Sequence, residues 1–377
     1  MEGIDQDHQK NDQIGGRFFR GKRSAFAGLF FYKPGMVSIY DMDEVEELRR
    51  RNAVQPHRIK LFRTALFKNA LGWDEVLETL PENARHDFSV TLEFESLELA
   101  GRHDSEIDGA SKLVFKTTDG HLIESVVLRP ATGRTSLCIS SQVGCACSCG
   151  FCATGQMGFT RSLTRDEILD QVTQASRIVK PEGRTIRNVV FMGMGEPLLN
   201  LDPLFQSLEF LRAAPFFNYA GSRLMVSTVG IPQAMERFSE RFPDVQLALS
   251  LHSARQEVRE KLMPQARKYT LDMLHESLLE ASRNGKVMIE YLMLAGVNDG
   301  DADFRALENY LRDIPVHINI IPFNEYAGCN LRGTPKSERK AFADRLKTAG
   351  FDVTLRYSLG ADIAAACGQL VQHRKMR

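Results

Sequence analysis

The chain of 377 residues carries 48 basic and 48 acidic side chains, a formal net charge of zero, with 43% hydrophobic and 25% charged residues. These values exclude a disordered or collagen-like chain, allow a full-sized core, and leave any polyanionic partner to be read from local charge alone. No run approaches the ~20 apolar residues that span a bilayer, and the opening MEGIDQDHQKNDQ has no apolar signal core, so a cytoplasmic protein with no membrane contact and reduced thiols is expected.

Residues 1–36 are polar and then Gly- and Arg-punctuated (GGRFFRGKR), closed by Pro34-Gly35, which suggests a flexible basic arm. Residues 37–88 are expected to form a small helical module. It contains DMDEVEELRRR, a Pro56-led helix with Ile59, Phe62 and Leu66 on one face, and GWDEVLETLP. Residues 89–134 suggest a β extension: VTLEFESLEL, then SKLVFKTT and HLIESVVLRP joined by the hairpin signal Asp119-Gly120.

From about residue 135 apolar runs alternate with amphipathic helices. SLCISS, NVVFMGM, RLMVST, VQLALS, VMIEYLM, VHINIIP and VTLRYS are the candidate strands. One helix opens on the capping box Thr164/Glu167 and buries Ile168, Val172, Ala175 and Val179; another begins near Pro335 and stops before Gly350. At least six such units require right-handed crossovers and a parallel sheet, and favour an α/β fold closed into a full or partial (β/α) barrel over residues 135–377. In a barrel, chemistry sits on loops at the C-terminal ends of strands.

Five of the seven cysteines crowd into SLCISSQVGCACSCGFC, where Cys145, Cys149 and Cys152 have the spacing C-x3-C-x2-C directly after a strand. Three thiolates on one loop suit three corners of a [4Fe-4S] cluster and leave one iron open to a ligand. A zinc knuckle is the competing reading, although zinc normally takes two separated ligand pairs and no His is near.

This motif, with an aromatic before its last Cys and on the first loop of a barrel, resembles the radical S-adenosylmethionine (SAM) superfamily. CISSQVGC, FCATG, FMGMGEPLLN, STVG, LSLHS, EYLMLAGVND, INIIPFN and DIAAACGQL, in this order over residues 37–370, are similar to the RlmN/Cfr family, which methylates an adenine of 23S ribosomal RNA. The resemblance implies a [4Fe-4S] cluster whose open iron chelates SAM, cleavage of SAM to a 5′-deoxyadenosyl radical, and two SAM per turnover. It implies an electron donor of the flavodoxin or ferredoxin kind, a monomer, and tRNA as a further candidate substrate.

It also assigns roles residue by residue. Gly195 and Glu196 match SAM contacts, as do Ser227, the run Ser250-Leu251-His252, and Asn324. By composition alone His252 would be a core histidine and the glycines a plain strand-to-helix turn. Cys367, by itself a buried inert thiol, matches the cysteine that takes a methyl from one SAM and presents it for hydrogen abstraction by a radical from a second. Cys138 matches the thiol that releases the resulting RNA adduct as a disulfide. Glu124, otherwise a solvated hairpin residue, matches the proton acceptor. Cys147 and Cys329 match no role and are read as structural.

Two rivals stand beside this reading: a radical SAM enzyme with a non-RNA substrate, and an RNA-binding protein with a structural cluster. His57 to Asn69 carries Arg58, Lys60, Arg63 and Lys68 with no acid, beside Arg49, Arg50, Arg51 and the Arg17 to Arg23 arm, an asymmetry suited to phosphates, with a solvated helix face as the plain alternative. FMGMGEPLLN and FCATGQMGF resemble the C2-methylating branch, whereas Leu359 is closer to the C8 branch, and Leu359 and Ala361 replace polar residues of the C2 branch. The first 36 residues match nothing in the family, and MPQARKYT departs from its pattern. C2 methylation is the favoured reading.

Overall fold

The computed structural model describes residues 35–370. The arm expected over 1–36, with Arg17 to Arg23, lies outside them but for its last two positions. Strand β1 (Val37–Ser38) leads into helices α1 (Met42–Arg51), α2 (Pro56–Arg63), α3 (Trp73–Glu78) and α4 (Glu82–Thr91), and β2 (Leu92–Glu93) returns to pair with β1 in parallel. Asp41 caps α1 by accepting the N–H groups of Asp43 and Glu44. Ile59, Phe62 and Leu66 are buried as the period requires. The strand expected from Val90 is different: Val90 and Thr91 end α4, whose Ala84 and Phe88 fill the module core, Phe88 edge-on to Phe62. Burial of that i, i+4 pair outweighs the local β alternation.

Strands β3 (Leu97–Asp104), β4 (Ala110–Thr117) and β5 (Leu122–Leu128) are antiparallel. After them come β6 (Ser136–Cys138), the ribbon β7 (Gln142–Gly144) and β8 (Phe159–Ser162) around the short helix α5 (Ala153–Gln156), then α6 (Arg165–Val179) and β9 (Asn188–Phe191). The chain continues through α7 (Leu201–Arg212), β10 (Leu224–Thr228), α8 (Pro232–Arg241), β11 (Gln246–Ser250), α9 (Gln256–Leu262), α10 (Leu271–Ala281) and β12 (Val287–Met293). It ends with α11 (Asp301–Leu311), β13 (Val316–Pro322), α12 (Lys336–Thr348) and β14 (Asp352–Leu355). Each of the seven candidate barrel strands is found. The Thr164 capping box forms in both directions, and its four apolar residues are buried.

One sheet of ten strands results, in the order β14-β13-β12-β11-β10-β9-β6-β5-β4-β3, parallel from β14 to β6 and antiparallel beyond. No pairing joins β14 to β3, so the barrel is partial, as expected. Paired residues share a face, and alternate residues along a strand share it too. The helix-covered face carries Val189, Phe191, Val226, Leu247, Leu249, Ile289, Tyr291, Ile318 and Ile320, all buried. The registers put Glu124, Cys138, Ser227, Ser250, Glu290, Asn319 and Thr354 on the other, inner face.

After β14 the chain crosses to the far side of the gap. Asp108 accepts the Gly360 N–H at 2.8 Å, and Asp362 accepts the Ser105 hydroxyl at 2.8 Å and the Glu106 N–H at 3.1 Å. The C-terminal segment thus bridges from the last strand to the β3–β4 turn.

Candidate active site

The cysteine loop is held on two sides. Cys145 donates its N–H to the Gly158 carbonyl, and Gly150 donates to the Leu262 carbonyl at the end of α9, both at 2.9 Å. Cys145, Cys149 and Cys152 are partly exposed, while Cys147 is turned into the core. Burial raises the thiols of Cys149 and Cys152, and each is raised further by Cys145, so the three feel one another's charge. The Cys147 thiol bonds that of Cys145, which lowers Cys145 and raises Cys147. A Cβ on Gly155 would stand 2.8 Å from the Cys149 amide nitrogen, so the loop closes onto α5 only over glycine.

Among the described residues no three His, Cys, Asp or Glu side chains converge on one ion position. A single zinc needs its sulfurs about 2.3 Å from one point, whereas a cubane spreads three thiolates over three irons. Three thiols on one loop that raise one another are the donor chemistry a [4Fe-4S] cluster takes at three of its irons.

Next to this loop is the rim formed by the ends of β9, β10 and β11. A Cβ on Gly193 would lie 2.6 Å from the Ile139 carbonyl oxygen; Gly195 has a φ of +101°, and its Cβ would meet that of Gln142 at 2.5 Å. Close packing against the cysteine strand accounts for both glycines. Glu196 is buried, and burial pushes its carboxyl up to about 7. Its two oxygens accept the N–H groups of Val229 at 2.7 Å and Leu198 at 3.0 Å. The Glu196 charge reaches Cys145, Cys147 and Cys149.

Ser227 and Ser250 place their hydroxyl oxygens 3.4 Å apart and remain partly exposed. The Leu251 side chain is fully buried in the core, so its backbone is what stands at the rim, and its carbonyl accepts Arg259 Nε at 3.2 Å. His252 takes a left-handed φ of +56°, a strained conformation for a non-glycine. Its Nδ1 accepts the Leu292 N–H at 3.1 Å, which leaves the proton on Nε2, and burial pushes the ring down to about 3. Phe151 of the cysteine loop packs edge-on against it at 4.7 Å.

The C-terminal segment closes the site. Ala153 donates its N–H to the Gly368 carbonyl at 2.7 Å, the Thr154 hydroxyl donates to the Leu370 carbonyl at 2.6 Å, and Asn324 Nδ2 donates to the Cys367 carbonyl at 3.1 Å. Asn324 therefore touches the Cys367 segment. Cys367 is surface-accessible, yet the protein around its thiol pushes it up to about 11, with Cys152 and then Glu290 adding to that shift. Cys138, on the inner face of β6, is pushed up to about 12 by burial and next by Cys367. All seven cysteines are free thiols.

Glu124 is not the solvated residue its hairpin position suggests. It is 1% exposed, points to the inner face, and stands 3.3 Å from the ammonium of equally buried Lys112 on β4. Sequence reasoning missed Lys112, Glu290, Arg356 and Arg259. Glu290 lies on the inner face of β12, accepts Asn319 Nδ2 at 2.9 Å, and faces Arg356 at 4.0 Å. Arg259 is fully buried and donates to the carbonyls of Val229 and Leu251. For Lys112 and Glu290 the available signal was a base or an acid inside an otherwise apolar strand, as in SKLVFKTT and VMIEYLM.

The basic helical patch is smaller than the sequence suggests. Arg49 pairs with Glu46 through two N–H groups and donates a third to the Val54 carbonyl; Arg50 is 3.4 Å from Glu46, and Arg51 grips Asp87. Lys60 and Lys68 are exposed.

Comparison with known proteins matches residues 139–307 to the radical SAM superfamily. A probable RNA methyltransferase of Rhodopirellula baltica is 46% identical over 90% of this chain and 89% of its own length. The dual-specificity RNA methyltransferase RlmN of Geobacter sulfurreducens is 39% identical over 87% of this chain and 90% of its own. The crystal structure of a radical SAM methyltransferase from Sphaerobacter thermophilus superposes with a TM-score of 0.83 at 34% identity, covering 89% of this chain and 99% of that one.

Proposed function

The chain belongs to the RlmN/Cfr family of radical SAM RNA methyltransferases, and from that premise we propose that it methylates C2 of an adenine in 23S rRNA, with tRNA as a second substrate. The observation that carries this reading is the gathering of Cys367, Cys138 and the three-cysteine loop around one inner face, with the Cys367 segment bonded directly to the cysteine loop.

When bound, the cluster supplies the electron that cleaves SAM to a 5′-deoxyadenosyl radical, and SAM also supplies the methyl group, two molecules being used per turnover. Cys145, Cys149 and Cys152 hold the cluster. The Ser227 and Ser250 hydroxyls, the backbone at Leu251 and the neutral His252, whose Nε2 carries a proton, would line SAM, with Gly195 and Glu196 at the next strand end.

Cys367 carries the chemistry of the polypeptide. Its sulfur takes a methyl group; loss of a hydrogen atom from that methyl gives a carbon radical that adds to the adenine ring. An sp2 ring carbon is electrophilic and does not attack a sulfonium, so radical addition supplies a route that polar displacement lacks. Glu124, 3.3 Å from the Lys112 nitrogen, is the proposed acceptor of the ring-carbon proton. The adduct gives up its unpaired electron to a one-electron acceptor; Cys138 then attacks the Cys367 sulfur, the bond from that sulfur to the methylene carbon breaks, the carbon takes a proton to become the methyl group, and a disulfide forms.

In this reading residues 37–88 form an RNA-docking module, 89–134 a β extension that carries Glu124, and 135–377 the catalytic barrel. The protein works as a cytoplasmic monomer fed by a flavodoxin or ferredoxin. No helix among the described residues is long and apolar enough to cross a membrane.

The test is nucleoside mass spectrometry after anaerobic incubation of cluster-loaded protein, reductant and methyl-labelled SAM with unmodified 23S rRNA, beside Cys367→Ala. Labelled 2-methyladenosine from the wild type alone supports the proposal. Labelled 8-methyladenosine moves the enzyme to the C8 branch, which Leu359 favours. Cleavage of SAM with no labelled adenine refutes the RNA substrate.

A further inference from the structure

Between the helical module and the loop after α7 lies a pocket of about 560 Å³, lined by Lys60, Arg63, Thr64 and Lys68 on one side and by Ala214 and Pro215 on the other. That volume falls in the range of ligand sites, roughly 300–1,000 Å³. Its acid, Glu46, is already neutralised by Arg49 and Arg50. Among the described residues no ion pair engages Lys60, Arg63 or Lys68; Arg63 feels the Glu46 charge, which Arg49 and Arg50 hold at closer range, and Lys60 and Lys68 are exposed at the pocket.

Their convergence has a backbone cause. In an α-helix Lys68 would stand about 140° round the axis from Arg63. Residues Thr64–Lys68 form instead a π-helical turn, with the Asn69 N–H bonded to the Thr64 carbonyl at 2.9 Å. The wider turn swings Lys68 back toward the face of Arg63 and Thr64. Such turns recur at functional sites because they place side chains a regular helix cannot. Arg63 itself lies 5.7 Å from the Phe216 ring, and its buried Nε makes no hydrogen bond, an unmet donor that costs stability unless a ligand or solvent supplies an acceptor.

We infer that this pocket is a docking site for a phosphodiester of the RNA substrate, with phosphate oxygens on Arg63, Lys60 and Lys68 and the attached nucleoside on the apolar wall of Ile59 and Pro215. The inference rests on the RNA reading above. A polyanion is favoured by three unpaired cations in a chain of zero net charge. The apolar wall argues for a nucleotide over a bare inorganic ion.

The test titrates an unmodified 23S rRNA fragment against the full chain by fluorescence anisotropy from about 50 to 300 mM salt. Three proteins are compared with wild type: Lys60→Ala with Lys68→Ala, that pair with Arg63→Gln, and a control with Arg283→Gln, Lys340→Ala and Lys347→Ala on remote exposed surface. Each lost phosphate contact removes about 0.7–0.9 from the slope of log affinity against log salt. The pocket holds one phosphodiester, so the triple variant should flatten the slope by about 0.7–0.9 and the exposed lysine pair by part of that, with affinity of the triple variant ~10-fold weaker, and the control should stay within about two-fold. The lysine pair, both members exposed, keeps the test valid if loss of half-buried Arg63 impairs folding. Unchanged affinity and slope in the pocket variants, or an equal loss in the control, overturns the pocket. Wild-type protein that shows no salt-dependent RNA binding overturns the RNA reading itself.

Discussion

Replacing Thr154 by Val tests whether the Cys367 segment is held in place by the cysteine loop. Thr154 is 3% exposed, its hydroxyl donates to the Leu370 carbonyl at 2.6 Å, and Leu370 is itself buried. Valine keeps the shape and removes the donor, leaving a buried carbonyl unpaired at a cost of about 1–3 kcal/mol. The penalty falls on docking of residues 365–370, since one other backbone bond, Ala153 to Gly368, ties that segment to α5. The undocked population should rise by a factor of about 5 to 150. Hydrogen exchange read by mass spectrometry over 365–370 and at the Ala153 amide should accelerate by that factor. The global melting temperature should change little, because the opening is local. Alkylation of Cys367 should quicken as its thiol leaves the packing that pushes it up to about 11. Unchanged exchange at Ala153 would refute the argument, and so would a global loss of stability with no local change.

Lys112→Met should destabilise the fold by about 3–5 kcal/mol in urea, because it removes the amine paired with the buried Glu124 side chain, and Glu124→Leu added to it should recover most of the loss. If the double variant is no more stable than the single, the ion pair is not the cause. Anaerobic reconstitution should load a cluster, by iron and sulfide analysis, into Cys147→Ala but not into Cys149→Ala, since the Cys147 thiol faces the core and that of Cys149 does not; equal loading of the two would reassign the ligands. Burial, and next Glu95, push the Asp170 carboxyl up from 3.8 to about 7. The native state thus holds a proton that the unfolded chain has released between about pH 4 and 7. Stability should fall across that window by at most ~1.4 kcal/mol per pH unit. Asp170→Asn should flatten the fall in denaturation curves, and an unaltered slope would remove Asp170 as its source.

The parallel strands were legible because each is a short apolar run set between capped amphipathic helices, and the Thr164 capping box could be read residue by residue. The end of the helical module was not. VTLEFESLEL alternates well enough for a strand, and only the tertiary burial of Phe88 against Phe62 shows that its first two residues belong to a helix. Local pattern also misjudged charge. Arg49, Arg50 and Arg51 look like a basic edge in sequence, yet Glu46 lies three to five positions away and Asp87 comes from another helix, and both take the guanidinium groups for themselves.

The chemistry of the inner face was hidden for a different reason. In RLMVST, VQLALS and VMIEYLM one or two polar residues sit among apolar neighbours, and each alone resembles a strand end or a buried accident. Only the pairing register shows that Cys138, Ser227, Ser250, Glu290 and Asn319 share one side, and a slip of one residue in any strand would turn its member into the helix-covered core. The apolar residues on the opposite face hold that register, since Val226, Leu249, Ile289 and Ile318 are all buried. The packing that stabilises the barrel is therefore the same constraint that aims its polar side chains. Substituting an outer-face residue such as Ile289 should disturb the site only as far as it shifts β12, whereas Glu290 can be exchanged with the strand left in place.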